Sequence, residues 1–386
     1  MMTQPPEVRL LDKFPDGISA LSYLPKSASS HNNGKSLLAS TSWDGAVRVH
    51  DTLSDRSSDS PLLLAHNMES GPLLSLAVMG GSSPAEAATI VTGGLDGSIK
   101  SFDISTSTVQ SIGSHGVGSD SIVSGDTNTN IGNACSCLCA MGDADHPSKV
   151  VASASWNRQL CIWDLRQENN NKASSQLLLP GKAFSMDVDV SRNRIIVATS
   201  GRRTCVYDLR MMKEENTCTL EAVLERESSL KFQTRCVRFF PDGHGFCLGS
   251  IEGRVGVEFL DDLADERMLS VTEKPKKYAF KCHRDANSGL VYPVNAIDFH
   301  PIQRQTFATG GCDGTVVLWD GQNKKKLTAL PAFPTSISAL CFSPDGTELA
   351  IASSYTHEEG DREQHPQDEL YVRQILGSEA MPKAGK

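Results

Sequence analysis

The chain has 386 residues and a formal net charge of −9, with 39% hydrophobic, 6% aromatic and 22% charged residues. This is the balance of a globular protein with small β-branched packing and many turns, and its acidity argues against nucleic-acid backbone as the main partner, because cationic contacts to phosphate supply most of that affinity. No stretch approaches the ~20 apolar residues of a membrane helix, and Met1 to Leu10 lacks the basic and apolar regions of a signal peptide, so a cytosolic or nuclear protein is expected.

Val8 to Asp12 reads as an orphan apolar strand. After it one unit recurs: a strand, a second strand, a tight turn, then a short apolar strand ending in aspartate. The ends of these copies are Val47 to Asp51, Ile99 to Asp103, Leu160 to Asp164, Cys205 to Asp208, Val257 to Asp261 and Val316 to Asp320. They lie roughly 44 to 61 residues apart, at or above the ~40–45 of a WD-repeat blade, with loops taking up the excess. The turns before them are Asp44-Gly45, Asp96-Gly97, Asn157-Arg158, Gly201-Arg202, Glu252-Gly253 and Asp313-Gly314, read as type I′ hairpins. Upstream strands such as Val294 to Phe299 and Ile337 to Phe342 complete each unit, and Pro241-Asp242-Gly243 and Pro344-Asp345-Gly346 close two of them with turns.

A degenerate seventh copy, Ile337 to Ile375, lacks an outer strand, and Val8 to Asp12 supplies one. The predicted fold is therefore all-β: a seven-bladed WD-repeat β-propeller, closed by pairing the N-terminal strand with the last blade. Residues 1–376 form this single domain, and 377–386 are expected to be a disordered tail. Polar segments at Ser27 to Lys35, Ser54 to Ser60, Gly80 to Glu86, Gly113 to Asn133, Gln167 to Ser175, Asp262 to Lys277 and Glu358 to Glu369 read as surface loops.

The eleven cysteines are scattered and odd in number, so no disulfide framework is implied. Cys135, Cys137 and Cys139 are placed on one face of a strand by their spacing, without the paired pattern of a zinc site. No metal or cofactor is predicted. The chain carries no nucleophile elbow, Walker loop, zincin helix or dinucleotide fingerprint, and the ten histidines show no ligand spacing; His300 reads as a strand-end residue. A non-enzymatic binding protein is expected.

In an up-and-down blade the start of the first strand, the turn between the second and third, and the end of the fourth share one rim. Sorting by that rule puts Trp43 and Trp156, Arg202 and Arg203, Arg235, Arg254, Lys281 and Arg284 on one face. Arginine forks bind carboxylate or phosphate and tryptophan supplies apolar anchor area. The implied ligand is an acidic or phosphorylated peptide with apolar side chains.

Three blocks carry a resemblance: Glu227 to Cys236, Gly249 to Val255 and Tyr278 to Arg284. They resemble the fifth blade of a small family uniting the WD-repeat subunit of the Bub mitotic spindle-assembly checkpoint complex (Bub three) with the Rae/Gle messenger-RNA export factor. Ser42-Trp43-Asp44, Gly93 to Asp96, Tyr292 to Ile297, Phe307 to Gly311 and Ile351 to Tyr355 favour the checkpoint branch. The resemblance implies an adaptor, a monomeric propeller within a complex, found in the nucleus and at kinetochores with a cytosolic pool. It would hold the GLEBS motif of a checkpoint kinase or kinase-like protein across its top face, and read phosphorylated Met-Glu-Leu-Thr repeats of a kinetochore scaffold. Arg235, grouped with Arg202 and Arg203, would serve the GLEBS partner. Trp43, Trp156, Arg254 and Lys281, grouped with Arg284, would serve the phosphopeptide. The export branch would instead bind a nucleoporin GLEBS motif and RNA. The Gly113 to Asn133 insertion is expected to reach the binding face.

Overall fold

The computed structural model describes residues 8–25, 36–53, 61–80, 88–116, 130–142, 148–166, 172–211, 222–260, 277–362 and 364–382. Most of the expected loops, including 117–129 of the Gly/Ser-rich insertion, lie outside the described residues. Among the described residues, twenty-eight strands form seven four-stranded antiparallel sheets, the blades of a β-propeller. Their innermost strands are Ile18–Tyr23, Leu73–Met79, Cys135–Ala140, Ala183–Asp189, Thr234–Phe239, Val294–Phe299 and Ile337–Phe342. Six blades are built from consecutive strands. In the seventh the outermost strand is Val8–Phe14, which pairs with Asp368–Gln374 from Val8 opposite Arg373 to Phe14 opposite Asp368.

The apolar side chains form seven clusters, one at each junction between neighbouring blades. Both faces of each sheet are thus covered, and no blade buries a core alone. At the closing junction Leu11 and Phe14 of the N-terminal strand pack with Ile18, Leu38 and Leu370. Buried polar pairs tie the blades internally. In blade 6, Thr309 Oγ1 bonds both His283 Nε2 and Trp319 Nε1, each at 2.9 Å, and His283 Nδ1 lies 2.9 Å from Asp313 Oδ1. Blade 3 repeats this with Ser153 Oγ between His115 and Trp163. Thr309→Val would strand two buried ring nitrogens at nearly unchanged volume. We expect a loss of about 2–4 kcal/mol, read as a shifted urea midpoint with an unchanged slope; an unshifted midpoint would mean the hydroxyl is dispensable.

Two local features differ from the sequence reading. The turns between second and third strands in blades 1 to 5 are three-residue loops. In blade 4 both Gly201 (73°) and Arg202 (60°) take positive φ, but in blades 1 and 3 only the last loop residue does, 81° at Gly45 and 70° at Arg158, and Gly45 N bonds Ser42 O at 3.1 Å. This is a type I turn followed by a left-handed residue, not a two-residue type I′ turn. Tryptophans 43 and 156 accordingly occupy the first position of their loops.

The second feature is a register shift near the start of every innermost strand, skipping Ser19, Leu74, Ser136, Phe184, Arg235, Asn295 and Ser338. Such a bulge adds one residue and reverses the inside–outside alternation after it. The three cysteines of blade 3 therefore do not share a face. Cys135 packs towards blade 2, whereas Cys137 and Cys139 pack towards blade 4. The ten cysteines among the described residues are unpaired, and burial pushes the Cys137 and Cys236 thiols up to about 12.

Boundaries also move. Gly113 belongs to strand Thr108–Ser114, where a Cβ would come 2.3 Å from Trp163 Cζ3, so only glycine fits there. The last strand starts at Asp368, two residues inside the expected loop. The expected tail is ordered at its start: Gly377–Ala380 is a short helix, with Thr306 Oγ1 donating to Ala380 O (2.6 Å) and Glu379 pairing with Arg373 (2.7 Å). Residues 383–386 lie outside the described residues. His300 is buried just after its strand, its Nδ1 accepting from the backbone N–H of Gln303 at 2.9 Å.

Candidate binding face

The bulge is the device that builds this face. A residue pushed out of the ladder at the start of an innermost strand turns its side chain towards the mouth of the central channel. All seven bulge residues line one basin of about 440 Å³. Hydrogen bonds bind several of them to neighbouring blades: Ser136 Oγ donates to Ala183 O (2.9 Å) and Ser338 Oγ to Ile18 O (2.7 Å).

A second ring surrounds the first. The opening residues of the seven loops are Trp43, Leu95, Trp156, Ser200, Ile251, Cys312 and Ser354. Each donates its backbone N–H to the carbonyl of the residue preceding its blade's innermost strand or one before it, as Trp43 does to Gly17 O at 2.9 Å. Loop and bulge are thereby held together, blade after blade. Trp43, 44% exposed, and Trp156 both face the basin.

Arg235 is the bulge residue of blade 5 and the only lysine or arginine among the described residues lining the basin. Its Nε and Nη2 donate to Asn295 Oδ1 at 3.3 and 3.1 Å. Asn295, the next blade's bulge residue, passes the chain on by donating Nδ2 to Ile337 O at 3.1 Å. The guanidinium is thus oriented by its neighbour while its side chain stays exposed. Three residues further along the strands, Asp187 Oδ2 accepts from Phe239 N and Asp298 Oδ2 from Phe342 N, both at 2.7 Å. Arg238 stands between these carboxylates, its Nε 3.9 Å from Asp298 Oδ1. Burial pushes Asp298 up to about 6 against the pull of Arg238, so this belt serves to lock blades 4 to 7 rather than to bind.

The remaining arginines stand apart from the basin. Arg254 and Lys281 are direct cross-strand partners at the rim of blade 5. Like charges in that position repel. Glu252 offsets the repulsion, with Oε2 3.4 Å from Arg254 Nε, while its carbonyl accepts from Arg284 Nη2 at 2.8 Å. Arg254, Lys281 and Arg284 therefore form one cationic cluster around Glu252, a residue the sequence reading used only as part of a turn.

Arg202 and Arg203 join neither group. Arg202 pairs with Glu227 and donates to Leu230 O (2.9 Å), and Arg203 lies 3.4 Å from Glu225. Both are engaged within blade 4. The two tryptophans, grouped by sequence with Arg254 and Lys281, sit instead with Arg235. Blade 7 adds Tyr355, His357, His365 and Asp368 to the basin wall, none of which sequence reasoning placed on the binding face. The Tyr355 and His365 rings stack at 5.6 Å. Among the described residues no group of three or more His, Cys, Asp or Glu could hold a metal ion.

The chain's similarities agree with this architecture. The WD domain, G-beta repeat family matches residues 276–320, which run from the outermost strand of blade 5 through the first three strands of blade 6. The mitotic checkpoint protein bub3 of Dictyostelium discoideum is 37% identical over 363 residues, covering 94% of this chain and 92% of the relative. The mitotic checkpoint protein BUB3.1 of Arabidopsis thaliana is 47% identical over 237 residues, 60% of this chain and 64% of the relative. The poly(A)+ RNA export protein of Schizosaccharomyces pombe is 31% identical over 361 residues, 93% of this chain and 85% of the relative.

Proposed function

The chain belongs to the bub3 family of mitotic checkpoint WD-repeat proteins, and from that premise we propose that it recruits checkpoint kinases by holding two peptides on this one face. A GLEBS segment of a kinase or kinase-like partner lies over the basin, with an acidic side chain on Arg235 and apolar side chains against Trp43 and Trp156. A phosphorylated Met-Glu-Leu-Thr repeat of a kinetochore scaffold docks its phosphate on the blade 5 rim. The protein then acts in the nucleus and at kinetochores as an adaptor without catalytic chemistry.

The observation that carries this reading is the juxtaposition of Arg254 and Lys281 across the ladder, beside the basin-facing Arg235. Two cations held opposite each other repel, and an anion between them removes that cost. Phosphothreonine brings nearly two negative charges and three acceptor oxygens, which a carboxylate does not match. In the free protein Glu252 partly offsets that charge, its Oε2 lying 3.4 Å from Arg254 Nε.

With the GLEBS partner bound, phosphorylated Met-Glu-Leu-Thr peptides should bind about tenfold or more better than unphosphorylated ones, and added salt should narrow the gap. Arg254→Ala or Lys281→Ala should erase the preference. Trp43→Ala or Trp156→Ala should weaken binding of the GLEBS segment, since both rings face the basin. Fluorescence anisotropy decides between them, on variants that melt like the native protein. Equal affinity of the native complex for both peptide forms would end the phosphate reading. The export-type alternative, favoured by the likeness to a poly(A)+ RNA export protein, would then apply to the same basin.

A further inference from the structure

The two sides of the basin differ in charge. Arg235 marks the blade 5 side. Where the last blade meets the first, the wall carries Asp16 and Asp368, with the rings of Trp43 and Tyr355. Asp368 opens the last strand opposite Phe14 and is 5% exposed. Its Oδ1 has no hydrogen-bond partner among the described residues. A buried carboxylate oxygen left unsatisfied is costly and is the kind of group a ligand completes. Burial raises the pKa of Asp368 and the nearby charge of Asp16 adds to this, while the Ser354 hydroxyl and His365 oppose it. Asp16 stands exposed at the lip, its Oδ1 accepting from Gly17 N at 2.7 Å. Trp43 Cδ1 lies 3.4 Å from where a Cβ of Gly17 would stand, so the indole is held close to Asp16.

We infer that this side of the basin is a cation subsite for one lysine or arginine side chain of the segment whose acidic group Arg235 holds. Asp16 and Asp368 supply charge and acceptor oxygens. The exposed ring of Trp43 supplies a face for the alkyl stem and the cationic head, whereas the Tyr355 ring is already covered by His365 and Arg362. A metal ion is a poor fit, since the described residues offer no group of three ligands. The basin is thus bipolar, and charge sets the direction in which the segment lies across it. This inference rests on reading the basin as the GLEBS-binding face.

The test is calorimetric titration of the full chain with a GLEBS peptide that contains lysine and arginine. Companion peptides have each lysine or arginine replaced in turn by glutamine. One replacement should weaken binding to the native protein about 5–20-fold and have less than a ~2-fold effect on Asp368→Asn, the signature of a coupled pair. If Asp368→Asn melts early, Asp16→Asn carries the same comparison, because Asp16 is exposed and the amide keeps the oxygen that accepts from Gly17. Equal sensitivity of native protein and variants to every replacement would overturn the cation subsite. Arg235→Ala separates the two claims. Lost affinity there without coupling at the aspartates removes the subsite alone, and unchanged affinity removes the basin reading itself.

Discussion

Deleting residues 1–14 should lower the melting temperature by about 5 °C, or leave the chain insoluble. The strand Val8–Phe14 is the outermost strand of the last blade, and it closes the ring. Leu11 and Phe14 are buried at 5% and 2% exposure. Their burial contributes about 1.5–3 kcal/mol each, and at this chain length each kcal/mol is worth about 1 °C. The Arg48 guanidinium stacks over Phe14 at 4.7 Å, and Asp12 Oδ2 lies 2.8 Å from the buried His50 Nε2, so both would lose a partner. Removal also bares the edge of Asp368–Gln374 to intermolecular pairing. Differential scanning fluorimetry with size-exclusion chromatography checks this; unchanged melting and a monodisperse peak would show that the ring closes without its N-terminal strand.

The second large effect is on binding. Arg235→Ala should weaken a GLEBS peptide by about 10–30-fold, in line with truncating one partner of a charge pair held in an interface. The melting temperature should stay put, because Arg235 lies outside the strand register and its side chain is exposed. Asn295→Ala should give a smaller loss, about threefold, by releasing the guanidinium from its orienting acceptor. Calorimetry on both variants would retire the role given to Arg235 if the alanine variant bound like the native protein.

The blades were legible because the repeat writes itself in strand ends and turns. Val294–Phe299 and Ile337–Phe342 fall where the apolar alternation put them, and the orphan strand at Val8 found its pairing partner. What alternation alone could not show was its own interruption. A bulge at Ser136 leaves no mark in composition, yet it sends Cys135 and Cys137 to opposite faces. Asp-Gly likewise announces a turn without distinguishing two loop residues from three.

The rim arginines illustrate a related limit. Topology placed Arg202, Arg235 and Arg254 on one face, but charge partners that are distant or acidic decide which of them point outwards. Glu227 engages Arg202, and Asn295 orients Arg235. Asp368 escaped notice because the first two residues of its strand were assigned to a loop, so its carboxyl had no predicted surroundings. The ordered start of the C-terminal segment escaped for the opposite reason: four residues of helix are too short to carry a periodic pattern, and tertiary contacts to Thr306 and Arg373 hold them.

The seven bulges have a consequence for how such a protein can change. Each side chain at the channel mouth sits at the one position of its strand that is exempt from ladder pairing. The ring from Ser19 to Ser338 therefore behaves like a seven-letter word on a frame whose strand ladders do not depend on its spelling, although Ser136, Asn295 and Ser338 also tie one blade to the next. Single substitutions there should alter which partner is recognised while leaving folding intact, so a new specificity can be reached one letter at a time without passing through an unfolded ancestor.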